Sequence, residues 1–230
     1  MNRSMKWWCD RLFMLHVPRR THLLTSNSLR SDDKEPGGPA PDSAYLGSSL
    51  LGLTCRRFPW LLSLMLVQSI SGWVVERFER LIQRHVILAA FLTMLVGGGG
   101  NSSGQTVATL VRALGAGEIR SADFSRVLLR ELAVGAMLAV ALGACAYPRV
   151  RLLSNSATAM DALTISVCYA IIVLMANAIG VVTVMTLHQC DMAAVGSPPV
   201  VQVVVDVLGI VVTMFTAEAL LGEAEETSSE

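Results

Sequence analysis

Ser197–Thr213 reads S-P-P-V-V-Q-V-V-V-D-V-L-G-I-V-V-T, almost entirely Val, Leu and Ile around a single carboxylate, Asp206. From Met192 to Ala217 that Asp is the sole charged residue. A run so long and so apolar predicts a bilayer-spanning helix, which needs about 20 residues. A charge at the centre of such a helix costs about 2.5–3.5 kcal/mol on insertion scales, so it normally faces a wet interior and has a function. Gln202, Asp206, Gly209 and Thr213 recur at helical spacing and predict one polar or small stripe on an otherwise β-branched, greasy circumference.

The rest of the chain agrees with this reading. With 53% hydrophobic and 16% charged residues and a mean hydropathy of +0.54, it is too apolar for an ordinary soluble domain. A formal net charge of zero offers no basic field for nucleic acid. The cysteines, at positions 9, 55, 145, 168 and 190, form no CxxC pair and read as small buried residues rather than a disulfide frame or zinc site. No nucleophile–base pair, phosphate loop or zinc spacing suggests an enzyme.

Apolar runs predict spans at about 58–76, 86–112, 130–148, 162–187 and 197–220, an all-α integral membrane protein of five transmembrane helices. The transmembrane domain covers 58–222, followed by an acidic, disordered tail at 223–230. Asp123–Glu131 has helical apolar spacing and reads as an amphipathic lead-in to the third span. Residues 1–57 are a disordered or targeting region. Their basic, acid-poor start and the polar Pro/Gly spacer Ser31–Ser43 fit either an organelle transit peptide, and then an organellar membrane, or a plain cytosolic tail. Arg56 and Arg57 before the first span, and Arg112, Arg120, Arg126 and Arg130 between the second and third, favour a cytosolic N-terminus and a C-terminus on the opposite side, while Arg77, Arg80 and Arg84 after the first span and Arg149 and Arg151 after the third argue the other way.

The second span contains Gly97-Gly98-Gly99-Gly100-Asn101. Each Gly in a helix costs about 1 kcal/mol relative to Ala, and freed backbone groups in a bilayer need protein or a wet cavity. Close helix contact is one use for such a run; carbonyls turned toward a conduit are another. Asn101, Gln105 and Arg112 share one helical stripe, which favours a helix broken at the glycines and lining a conduit.

Several motifs occur in a fixed order: Phe78-Glu79, G-G-G-G-N-x-x-G-Q at 97–105, A-T-L-V-R-A-L-G-x-G-E at 108–118, R-V-L-L-R-E at 126–131, N-A-I-G at 177–180, then Asp191, S-P-P at 197–199 and D-V-L-G at 206–209. Together they resemble the transmembrane domain of MgtE-type magnesium channels and transporters, from about Arg57 to Leu221. The resemblance implies a homodimer of five-helix protomers, with the second and fifth helices lining a pore on the two-fold axis. It also implies that the fifth-helix acid, Asp206 here, faces a hydrated magnesium ion, and that the glycine–asparagine break falls on Gly99, Gly100 and Asn101. Thr93 and Pro198 stand where the family usually has Pro and often Asn, respectively, and residues 1–57 are too short and polar to hold the family's cytosolic regulatory modules.

Magnesium prefers octahedral oxygen and gives up water reluctantly, so its pathway should present few carboxylates and several carbonyls or amides. Two carboxylates sharing a dry site on a two-fold axis would force a proton onto one of them unless a divalent cation stood between. The expected metal site is Asp206. Gly99, Gly100, Asn101, Gln105, Ser197, Gln202, Gly209 and Thr213 are pathway candidates, and Asp191 marks an entrance or caps a turn. Ser197 and Pro199 are expected at the start of the pore helix, where Pro is tolerated. Glu79 and Glu131 read as surface ion-pairing acids, and His188 as interfacial. The partners are a divalent cation and the lipid bilayer, with Mn2+ and Co2+ as alternatives to Mg2+ because geometry more than affinity selects among divalents. The competing function is a non-transporting or regulatory membrane subunit that packs with a full-length partner.

Overall fold

A computed structural model describes residues 49–190 and 193–228. Among them every regular element is helical: α1 (Leu50–Arg77), α2 (Glu79–Arg84), α3 (Val86–Gly115), a 3₁₀ turn (Ser121–Asp123), α4 (Phe124–Leu153), α5 (Ala159–His188) and α6 (Ala193–Ser228). Five of these segments are long and apolar enough to cross a membrane. Those five are the predicted spans, each longer than its apolar run. The targeting reading of the N-terminal region and the entrance candidate Asp191 lie outside the described residues, except that 50–57 form the start of α1.

The chain divides into two units, Met1–Ser63 and Leu64–Glu230. In the first, Ser49 caps the helix by accepting from the Gly52 amide at 3.1 Å. Thr54 Oγ1 and Ser63 Oγ return their hydroxyls to the carbonyls of Leu50 and Trp60. Hydroxyls that bond back to their own helix can lie in an apolar environment without another partner.

The second unit is built around α5. Half of its most apolar window is buried, against 22% for the segment ending in α4, and it packs on α3, α4 and α6. Two apolar layers show how the helices run. One joins Leu88, Phe91 and Leu95 at the start of α3 with Val150 late in α4, Ile165, Cys168 and Ile172 in the first half of α5, and Ala217 and Leu221 late in α6. The other joins Leu110 and Leu114 at the end of α3 with Val127 early in α4, Val181, Val184 and Met185 late in α5, and Val201 and Val205 early in α6. Successive spans from α3 to α6 are therefore antiparallel, as short connections require.

The α5 N-terminus is closed by a capping box. Thr158 Oγ1 accepts from the Asp161 amide at 3.1 Å, and Asp161 Oδ2 accepts from the Thr158 amide at 2.9 Å. The other oxygen of Asp161 lies 3.2 Å from His85 Nδ1, which ties the start of α3 to the start of α5. Arg151 Nη1 donates to the Ala157 carbonyl, bracing the α4–α5 connection.

Some expectations change. The helix is continuous through Gly97–Asn101 and does not break there. A Cβ on Gly98 would meet the Tyr169 ring, and one on Gly99 would stand 2.6 Å from Ile172 Cγ2 and 3.0 Å from Val205 Cγ1. The missing side chains at Gly98 and Gly99 let α3 approach α5 and α6. Asp123–Glu131 is helical from Phe124 onward and continuous with the third span in α4. Pro198 and Pro199 lie inside α6, which starts at Ala193; having no N–H, they leave the carbonyls four residues back without helical donors. Helix α6 also continues to Ser228, over most of the stretch expected to be a disordered tail.

Gly99→Val should lower the thermal unfolding midpoint of the purified protein in detergent, with a destabilisation of about 1–3 kcal/mol from overpacking. Gly97→Ala should show no loss in the same measurement, because nothing lies within 4 Å of the added Cβ.

Candidate functional site: a carboxylate on an open polar face

Helix α6 presents its polar stripe unevenly. Gln202 is exposed and Asp206 half-buried, whereas Gly209 and Thr213 are buried. Gly209 faces Val96 and Ile172. Thr213 Oγ1 donates to the Gly209 carbonyl at 2.7 Å, so its hydroxyl is used by its own helix. Two of the expected pathway residues thus face the protomer interior, as Gly99 does. Ser197 is fully buried as well, and its Oγ has no hydrogen-bond partner among the described residues.

Both oxygens of Asp206 are held by amides. Gln202 Nε2, one turn earlier on α6, donates to Oδ1 at 2.6 Å. Gln68 Nε2 on α1 donates to Oδ2 at 2.8 Å. Hydrogen bonds to an ionised acceptor are the strong ones, and here they stand in for water around a carboxylate within an apolar helix. The sequence offered one signal for Gln68: it is the only amide side chain in the run Phe58–Val75.

Helix α3 completes the face. Gly100 is buried, and a Cβ there would lie 2.5 Å from Gln202 Oε1, so the absent side chain makes room for that amide. Immediately beyond, Asn101, Gln105, Ala108 and Arg112 are all exposed along one stripe. The structure therefore brings Gly100, Gln202, Asp206 and Gln68 together, with Asn101 next in chain to Gly100. Among the described residues there is no cluster of three or more His, Cys, Asp or Glu side chains. The site presents one carboxylate per protomer with amide neighbours. That donor set suits a hard cation that keeps its water, since magnesium is usually held by one or two carboxylates.

A second polar group lies within the protomer. Asn177, 1% exposed on α5, accepts from Thr106 Oγ1 at 2.6 Å and donates to Ser102 Oγ at 2.8 Å and the Val173 carbonyl at 2.7 Å. Thr106 Oγ1 also lies 3.2 Å from Glu131 Oε2. Glu131 is therefore part of an interhelical network, not a surface ion pair. Gly135 opposite Asn177 and Gly180 opposite Thr106 leave the space this network occupies.

These features define a multi-pass helical membrane protein with a carboxylate on an open polar face. The family model of MgtE, described as a divalent cation transporter, matches residues 92–216. Proteins named magnesium transporter MgtE are similar. That of Thermus thermophilus is 27% identical over 182 residues, covering 79% of this chain and 40% of the relative. That of Bacillus subtilis is 24% identical over 169 residues, 72% of this chain and 37% of the relative. That of Enterococcus faecalis is 26% identical over 102 residues, 44% and 22% respectively. The chain belongs to the MgtE family of divalent cation transporters, and it spans less than half the length of these curated relatives.

Asn177→Leu should destabilise the bundle by about 1–3 kcal/mol, because Thr106 and Ser102 lose their buried partner. Thermal unfolding in detergent reads this, and the loss should exceed that from Gln105→Leu on the exposed stripe.

Proposed function

We propose that the chain carries magnesium across a membrane through a pathway on the two-fold axis of a homodimer, with Asp206 of each protomer forming the central hydrated-cation site. The observation that carries this reading is the position of Asp206 on the open side of its helix. It is half-buried beside exposed Gln202, while the inward residues of the same helix are enclosed. Family membership over residues 92–216 and the similarity to proteins named magnesium transporters support magnesium as the ion. Mn2+ and Co2+ are the competing cargo.

In this reading Asn101, Gln105 and Gln202 supply amide oxygens and N–H groups to the water shell of the ion. Gly100 gives Gln202 its room, and Gly99, Gly209, Thr213 and Ser197 shape the protomer behind the pathway. Two facing carboxylates and a divalent cation balance in charge, which removes the cost of two like charges at close range. The N-terminus lies on the cytosolic side and the C-terminus opposite, as the arginine distribution indicates.

Reconstitution of this chain alone into liposomes, loaded with a magnesium-sensitive dye, tests the proposal. The wild type should admit Mg2+, with Mn2+ and Co2+ compared and Ca2+ as a control. Asp206→Asn should lower uptake at least about 100-fold while reaching the membrane in normal amount, because a charge-matched ion site loses several kcal/mol with its charge. Undiminished flux in Asp206→Asn would overturn the central site. Absence of flux in the wild type alone, restored by adding a full-length relative, would indicate the regulatory subunit instead.

A further inference from the structure

The amide on Asp206 Oδ2 comes from a helix that is otherwise weakly held. From Leu64 to Arg77 on α1, Val74 is the only buried residue. Met65, Leu66, Val67 and Ile70 around Gln68 are exposed and apolar. Gln68 is thus a lone long polar side chain in greasy surroundings, and its donor is spent on the carboxylate of α6. A second contact shows that the two helices keep register. Phe78, ten residues after Gln68, meets Phe215, nine residues after Asp206, edge to face with centroids 5.2 Å apart. The segment from α1 to α2 therefore follows α6 in parallel, and the amide bond is one of two matched points along it.

The two amides on Asp206 are not equivalent. Gln202 sits one turn away on the same helix and moves with the carboxylate. Gln68 belongs to a separate element, and releasing it would separate α1 from α6 at this level. A carboxylate has about four acceptor positions, and a hydrated divalent cation approaches with water protons in fixed octahedral geometry. To meet both oxygens from the open side, the hydrate must contend with a donor already seated on Oδ2.

We propose that Gln68 is a cation-displaced clamp on Asp206: a positioning residue that occupies the carboxylate when no ion is present and sets the concentration at which a cation enters. The proposal rests on the reading of Asp206 as the cation site. It adds a determinant on α1, outside the α3–α6 face, and it couples occupancy of that site to the seating of α1.

The test is the concentration dependence of Mg2+ uptake in liposomes by the full chain. Gln68→Met keeps length and volume but removes the N–H donor. Gln68→Asn keeps the amide but is one methylene too short for the bond, and it carries the test should the methionine variant fail to insert. Each should lower the half-saturating Mg2+ concentration about 10-fold, the factor expected when one charge-assisted competitor is lost. A helix that merely packs would change the amount of folded protein and leave half-saturation where it was. An unchanged or raised half-saturation in the inserted variants overturns the clamp. The Asp206→Asn arm separates the two readings. Loss of flux there with unmoved half-saturation in the Gln68 variants rejects the clamp alone, whereas full flux there rejects the site on which the clamp depends.

Discussion

Inside a bundle of apolar helices a polar side chain must find a partner in protein or water, and most of the described buried polar side chains meet that demand, Thr164 Oγ1 and Ser197 Oγ excepted. Ser166 and Thr213 return their hydroxyls to their own helices at 2.7 Å. Asn177 cannot do so with a full amide, and it draws Ser102 and Thr106 from α3 and, through Thr106, Glu131 from α4 into one network. Asp206, carrying charge, takes an amide on each oxygen. The partnered polar residues thus fall into those satisfied within the protomer and those on its open side, and α3 and α6 each carry both kinds.

Small residues decide where that open side falls. Gly143 lets α4 settle on Ala170 and the Ser166 carbonyl of α5, and Gly98 and Gly99 let α3 settle on Tyr169, Ile172 and Val205. With no hydrophobic force between helices in lipid, such close packing supplies much of the association energy. The same approach brings Gly100 against Gln202 and so sets the amide neighbours of Asp206. Packing and site are therefore one arrangement: a side chain at Gly100 would push away the group that holds the carboxylate.

Much of the fold was legible in the sequence, because a spanning helix must be apolar for its whole length and few other structures are. All five spans and the lone acid of the last one followed from that rule, and the exposed stripe of Asn101, Gln105 and Arg112 followed from helical spacing. Periodicity places residues on a face but cannot say which neighbour the face meets. Gly97–Gly100 favoured a break lining a conduit over a contact surface, yet the helix is continuous there, and only Tyr169, Ile172, Val205 and Gln202 across the gap show what the absent side chains make room for. Gln202 to Thr213 is one stripe by spacing, yet half of it is enclosed. Gln68 was hidden because its partner lies in another helix far along the chain. Ser197 and Pro199 suggested a helix start, a preference that α6 overrides by beginning at Ala193.

The exposed faces of α3 and α4 differ in chemistry. On α4, Leu129, Met137 and Val140 are 66–73% exposed, a surface suited to acyl chains. On α3, Thr93, Asn101, Gln105, Thr109 and Arg112 are exposed, and neither a row of amides nor a guanidinium gains anything from hydrocarbon. Such a face belongs against protein or water. The neighbouring carboxylate sharpens the requirement, since Asp206 stands half-buried beside exposed Gln202. A second protomer related by a two-fold would bring a like face opposite and enclose a narrow wet space lined by amides with one acid from each side. The proposed assembly draws its warrant from this difference between two helices of one chain: one is finished for lipid, and the other is complete only with something polar against it.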